Sequence, residues 1–159
     1  MRVDAIVNTA NPRPVIGAGT DSRIHEIAGP ELLKARQCIG RIDAGCAAIT
    51  PAYNLDAKYI IHTSGPIWHG GLVGESIILK SCYTESLELA VANKCKSIAF
   101  PLISSGAYGY PKDQVLKFAI QIITEFLLYH ELQVYICILD KNSYEFSQKR
   151  FAEISKFID

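Results

Sequence analysis

The chain has 159 residues, 49% of them hydrophobic, which is material for one well-filled core and too little for two ordinary domains. Its 16 basic and 16 acidic residues cancel, so it lacks the broad positive field of a sequence-independent polynucleotide binder, while local capture of a small anion stays open. No apolar run has the length of a membrane span or the form of a secretion signal, so a cytoplasmic protein without membrane attachment is expected.

A first strand is predicted over residues 2–8, "RVDAIVN", a short apolar run stopped by turn residues as in a buried strand. The polar loop 8–25 follows and leads into the helical pattern "SRIHEIA". Residues 29–39, "GPELLKARQCI", open a second helix with a proline in its first turn. "GCAAIT", 45–50, is a weaker strand candidate, and the short polar link "PAYNLDA" joins it to "KYIIHTS", 58–64, as suits an antiparallel pair. Helical periodicity over 74–94 brings Ile78, Cys82, Leu87, Leu89 and Ala90 to one side.

"SIAFPLI", 97–103, is another buried-strand run, and the loop 104–111 after it ends at Pro111, a favoured helix start. Residues 112–131 form a helix with Val115, Phe118, Ile122 and Phe126 inward. "QVYICIL", 133–139, is the last strand, and 143–159 reads as a closing amphipathic helix with Phe151, Ile154 and Phe157 inward. Strand alternating with helix implies one α/β domain over 1–159, a mostly parallel sheet covered on both faces. Ligands of such sheets bind beyond the carboxyl ends of the strands, where loops run into helix N-termini.

Two loops meet that description. In "SSGAYGYP", 104–111, Gly106 and Gly109 allow the backbone to curl, Ser104 and Ser105 offer hydroxyls, and Tyr108 or Tyr110 offers a ring face to a sugar or base. Backbone amides freed by glycine, together with a helix N-terminus, hold phosphate without lysine. In the first loop, Asn8 and Asn11 end an apolar strand, and Pro12 biases Asn11 toward extended geometry. Each asparagine either holds a ligand hydroxyl or water, or bonds local backbone as a turn cap. Asp21, after Gly17 and Gly19, is either a helix N-cap or a carboxylate aimed into the site.

Other polar residues fit structural roles. Five cysteines are widely spread without a CxxC pair, which indicates neither a disulfide framework nor a zinc cluster and predicts small buried hydrophobes. His25 and His62 are candidate bases whose better reading is buried and hydrogen-bonded. His69 and His130 lack partners at metal-ligand spacing, so no metal is expected. Trp68 is expected as a packing anchor under a glycine loop.

Five ordered motifs resemble those of macrodomains, the ADP-ribose-binding modules of the Appr-1-p processing family, and most closely their MacroD-like branch. "VDAIVNTAN" is similar to the family's VDAIVNAAN, "GAGTDSRIH" to GGGVDGAIH, "YIIHTSGPIW" to YVIHTVGPxW and "SIAFPLISSGAYGYP" to SIAFPAISTGVYGYP, while "AGPELL" is the same. The resemblance implies a three-layer α/β/α macrodomain-like fold with a mixed, mostly parallel sheet. It also implies an N-terminally truncated one, since the family's GDIT-like motif, with its adenine-binding aspartate, would precede Met1.

By the same resemblance Asn11 and Asp21 are the catalytic pair, positioning the distal ribose and an attacking water. Gly17, Ala18, Gly19 and Thr20 match the first phosphate loop. Ser104, Ser105, Gly106, Ala107 and Tyr108 match the second, and Asn8 lies near the ribose. Ser22 and Arg23 replace small residues of the family, so Arg23 either blocks the site or grips a phosphate. The implied function is a hydrolase of ADP-ribose derivatives, a mono-ADP-ribosylated protein or O-acetyl-ADP-ribose, needing no cofactor. The competing readings are a non-catalytic ADP-ribose-binding module and a phosphatase of a smaller nucleotide or sugar phosphate such as ADP-ribose 1''-phosphate.

Overall fold

In the computed structural model, which describes residues 2–138, five strands make one sheet in the order β2-β3-β1-β4-β5. They are β1 (Ala5–Thr9), β2 (Ala47–Pro51), β3 (Tyr59–Thr63), β4 (Ser97–Phe100) and β5 (Gln133–Ile136). β1 runs parallel to both β3 and β4, and β4 parallel to β5, while β2 pairs antiparallel with β3 as the short polar link requires. Four helices cover the sheet: α1 (Thr20–Ala28), α2 (Glu31–Ile39), α3 (Glu75–Ala92) and α4 (Lys112–Leu127). The closing helix expected over 143–159 lies outside the described residues.

Strand alternation sorts the layers. Ala5, Val7 and Ile61 face one way, into a core shared with Leu79, Tyr83 and Leu87 of α3 and Val115 and Ala119 of α4. Ile6 and Ile60 face the other way, against Ile24 and Ala28 of α1 and Leu32 of α2. The arrangement is thus helix, sheet, helix. Each fully buried Leu or Ile contributes about 1.5–3 kcal/mol relative to an exposed one.

The expected helix faces are rotated slightly. α3 buries Leu79, Tyr83 and Ser86 beside Cys82, Leu87 and Ala90, while Ile78 and Leu89 are half-buried. α4 buries Leu116, Ala119, Ile120 and Ile123 beside Val115, leaving Phe118, Ile122 and Phe126 at the margin of the core. Both helices touch the sheet side and each other, so the buried stripe is broader than an apolar periodicity alone shows. Of the cysteines, only Cys82 and Cys95 are buried. Cys38, Cys46 and Cys137 are exposed, because each sits at or beyond the end of its element rather than on an inward face.

β4 ends three residues short of the expected Ile103. Pro101 has no amide to give the ladder, and the buried Tyr83 hydroxyl takes over there, donating to Pro101 O at 3.0 Å and accepting from Ile103 N at 3.2 Å. The chain then turns at Ser104, whose φ of 65° lies in the left-handed region. Across from it, Gly65 follows β3 with no room for a side chain: a Cβ there would run into Ser104 Oγ and come within 2.7 Å of Ile103 Cγ2. Replacing Gly65 by Ala should therefore lower stability by about 1–3 kcal/mol, the usual range for overpacking. An unchanged thermal midpoint for Gly65→Ala would show that the two strand ends are not in this contact.

Candidate functional site

The cavity lies where the chain leaves the sheet in two directions. β1 is followed by α1 on one face and β4 by α4 on the other, so the two connecting loops part above neighbouring strands. Between them is a cavity of about 470 Å³. Asn11, Gly17, Ala18, Gly19, Thr20 and Asp21 line one side, and Ser104, Ser105, Gly106, Ala107 and Tyr108 the other. The structure thus brings together every site residue read from the sequence except Asn8. It adds, among others, Gly65, Pro101, Lys112 and Cys137, which come from four separate segments of the chain.

Asn8 is fully buried beneath the cavity. Its amide Nδ2 donates to Asp21 Oδ1 at 2.6 Å and lies 3.2 Å from His62 Nδ1, so it bonds side chains rather than acting as a turn cap. Asp21 is not an N-cap either. That position belongs to Gly19, at a φ of 65° that suits glycine, and Asp21 sits in the first turn of α1, 1% exposed. Its second oxygen, Oδ2, accepts from Gly17 N at 2.6 Å. The carboxylate therefore holds the last glycine turn of the loop against the helix that follows.

Asn11 is half-buried at the rim. Its Oδ1 accepts from Arg13 N at 3.1 Å, the local turn bond that is one of the two readings of this residue, and its Nδ2 is on the side of Gly17. Ser22 and Arg23 are exposed on α1 and do not line the cavity, so Arg23 neither blocks it nor grips a ligand from inside it.

His62 completes the buried polar layer, its Nε2 lying 2.9 Å from Thr50 Oγ1. Burial, aided by the nearby Arg36 guanidinium, pushes it down to about 3, so it is neutral at physiological pH. His25 is buried too, 3.5 Å from Asp21 Oδ1. Burial lowers it, the Asp21 carboxylate pulls the other way, and the Arg36 guanidinium adds to the lowering. Arg36 itself was not legible as a site residue: it is one charged position in an amphipathic helix.

In the second loop the left-handed residues are Ser104 and Gly109, whereas Gly106 has an ordinary φ. Gly106 is nonetheless open to the cavity, since a Cβ there meets nothing within 4 Å. Ser105 Oγ donates to Leu102 O at 2.6 Å and braces the turn. Tyr110 is buried against Trp68, ring centroids 4.6 Å apart, which leaves Tyr108 as the ring at the cavity wall. Trp68 is the expected packing anchor, and its amide donates to Tyr108 O at 2.9 Å. Among the described residues, the amides of Ala18, Gly19, Thr20, Gly106, Ala107 and Tyr108 find no protein acceptor. They form two sets of donors on facing walls, one at the α1 N-terminus.

Glu75, at the first turn of α3, organises the loop that carries Trp68. Its carboxylate accepts from His69 N at 3.0 Å, Gly71 N at 2.7 Å and Val73 N at 2.8 Å. These amides outweigh burial and hold its pKa down to about 2. The signal for it in the sequence is slight, an acid in the first turn of a helix after a glycine-rich stretch. Among the described residues there is no cluster of metal-ligating side chains, and no helix is long and apolar enough to cross a membrane.

The Macro domain family model matches residues 7–119. A Macro domain-containing protein of Methanosarcina mazei is 47% identical over 156 residues, covering 97% of this chain and 83% of the relative. An O-acetyl-ADP-ribose deacetylase of Escherichia coli is 44% identical over 151 residues, 91% of this chain and 85% of that enzyme. Among solved structures, the Oceanobacillus iheyensis macrodomain with ADP superposes with a TM-score of 0.91 at 35% identity, over 96% of this chain and 85% of that one.

Acid should release the Glu75 clamp. Because the folded pKa lies below the ordinary value of 4.5, this carboxylate's contribution to stability is present above that value and is lost as pH falls toward about 2. Glu75→Gln should lower the thermal midpoint near neutrality and flatten its fall over that acid window. Parallel curves of midpoint against pH for the two proteins would refute the clamp.

Proposed function

Because the chain belongs to the macrodomain family, we propose that it binds ADP-ribose in the cavity between the two loops and hydrolyses a derivative of it. The derivative is a mono-ADP-ribosylated protein partner or O-acetyl-ADP-ribose. The observation that carries this reading is the pair of open amide sets on facing walls, with Asn11 and Asp21 meeting beside Gly17 at one end. The amides of Ala18, Gly19 and Thr20 and those of Gly106, Ala107 and Tyr108 suit the oxygens of a diphosphate. Tyr108 packs on the distal ribose, Asn11 bonds its hydroxyl or the attacking water, and Asp21 accepts the proton of that water. Preorganised donors of this kind stabilise charge where it develops, and they need no lysine.

One observation favours the non-catalytic alternative: Asp21 is 1% exposed and both its oxygens already accept hydrogen bonds. Each carboxylate oxygen has a second lone pair, so the two readings part on activity. The relatives' names support the hydrolase, since one of them is an O-acetyl-ADP-ribose deacetylase.

Replacing Asn11 by Ala should cut hydrolysis by about 10²-fold or more, in the range of positioned polar and acid–base groups, with little effect on folding because Asn11 sits at the rim. Asp21→Ala should do the same and also lower stability by about 1–3 kcal/mol, since the buried Asn8 amide and Gly17 N–H lose their acceptor. Single-turnover hydrolysis assays read both variants. Full activity in both would rule out the proposed pair.

Gly106→Val tests the cradle separately. With open space and an ordinary φ at this position the variant should fold, yet its branched side chain stands between a phosphate and the loop amides. Calorimetric titration should show ADP-ribose affinity weakened by roughly tenfold or more, about 1.4 kcal/mol. Wild-type affinity would remove the second loop from the binding site.

A further inference from the structure

Under the first loop, α2 carries Arg36, a cation only 1% exposed. Its Nη2 donates to Asn11 O at 3.1 Å and reaches Arg13 O at 3.5 Å, while Nε and Nη1 are buried with no partner among the described residues. A guanidinium in such a place is costly unless something nearby compensates its charge. The acid of its own helix, Glu31, is exposed and bonds Lys34. The compensation comes from Asp21, whose field acts on Arg36 across the loop.

The groups around Asp21 come from every element packed there: Asn8 from β1, His62 from β3, His25 from α1 and Arg36 from α2. His25 lies directly against the carboxylate, while His62 reaches it only through the Asn8 amide. Arg36 and Asp21 together make the buried cluster neutral. A protonated His25 would leave it with an uncompensated positive charge in a region poor in water. It would also stand 3.5 Å from Asp21 Oδ1 and take that oxygen as an ion-pair partner.

We propose that Arg36 is a positioning residue for the reaction: from below the loop it holds the Asn11 peptide by its carbonyl, and so fixes where the Asn11 side chain stands at the cavity rim. This rests on the reading of Asn11 and Asp21 as the reacting pair. The clamp acts on the backbone carbonyl of Asn11, so it orients the residue without touching the ligand. One nitrogen, Nη2, serves both carbonyls, and the planar guanidinium fixes its place more firmly than a rotating ammonium would.

The test compares Arg36→Met and Arg36→Lys in the full chain, with three readouts: the ring titration of His25 by NMR in the ligand-free protein, the affinity for ADP-ribose, and turnover. Arg36→Met should raise the midpoint of His25 titration and shift the Asn11 amide signal. Its turnover should fall by roughly tenfold while ADP-ribose affinity changes little, the mark of an interaction used in the reaction rather than in binding. Arg36→Lys keeps the charge and loses the planar group that places Nη2, so the His25 midpoint should stay and turnover should still drop.

An Arg36→Met protein that folds with the Asn11 amide signal and turnover of the wild type overturns the proposal. Should that variant not fold, Arg36→Lys with wild-type turnover and an unmoved Asn11 amide overturns the clamp. Should the wild type hydrolyse no ADP-ribose derivative, the catalytic reading falls by itself, and the His25 midpoint and Asn11 amide still decide what Arg36 does.

Discussion

The first loop, the first helix and the central strand are held together by one carboxylate. Asp21 Oδ1 takes the amide of Asn8 from β1, and Oδ2 takes the backbone N–H of Gly17, each at 2.6 Å. Charge-assisted bonds of this length, out of water, are worth more than ordinary ones. They fix the loop at a cost, since Asp21 is a carboxylate taken out of water. The bond pair ties Gly17 and the start of α1 to the central strand, while Asn11 is held separately, its carbonyl by Arg36 and its side chain by Arg13 N.

The opposite wall is built differently. No charge lies in the loop 104–111, so its shape comes from packing and backbone bonds. Tyr83 replaces the strand ladder where Pro101 interrupts it, Ser104 accepts a left-handed conformation, and Gly65 leaves space for Ser104 to turn. Trp68 and Tyr110 pack behind the loop with their rings tilted, and Glu75 ties down the segment that carries Trp68. A wall assembled this way is rigid before any ligand arrives, which lowers the ordering that binding must offset.

The electrostatics agree with an overall neutral chain. Formal charge sums to zero, and among the described residues charge is buried at Asp21 and Arg36 under the first loop and at Glu75 beside the Trp68 loop, while the cavity walls are mostly uncharged. Such a site selects by geometry more than by long-range attraction. A small, rigid, doubly phosphorylated ligand suits it better than a flexible polyanion.

Much of this was legible in the chain. Five strands, four helices, the antiparallel pair and the two glycine loops follow from apolar runs, prolines at helix starts and turn residues, because those patterns answer to local backbone physics. Asn11 and Asp21 carried two readings each, a local cap or a group aimed into the site, and the resemblance to macrodomains is what set them apart. What the sequence could not contain is which partner each polar group takes. Asn8 and Asp21 are 13 positions apart, Arg36 lies 25 from Asn11, and Glu75 bonds a loop whose only local mark is glycine. Those contacts, the small rotation of the α3 and α4 faces, and the exposure of three cysteines were decided by tertiary packing. Periodicity says that a residue faces inward, but only the assembled layers say what it meets there.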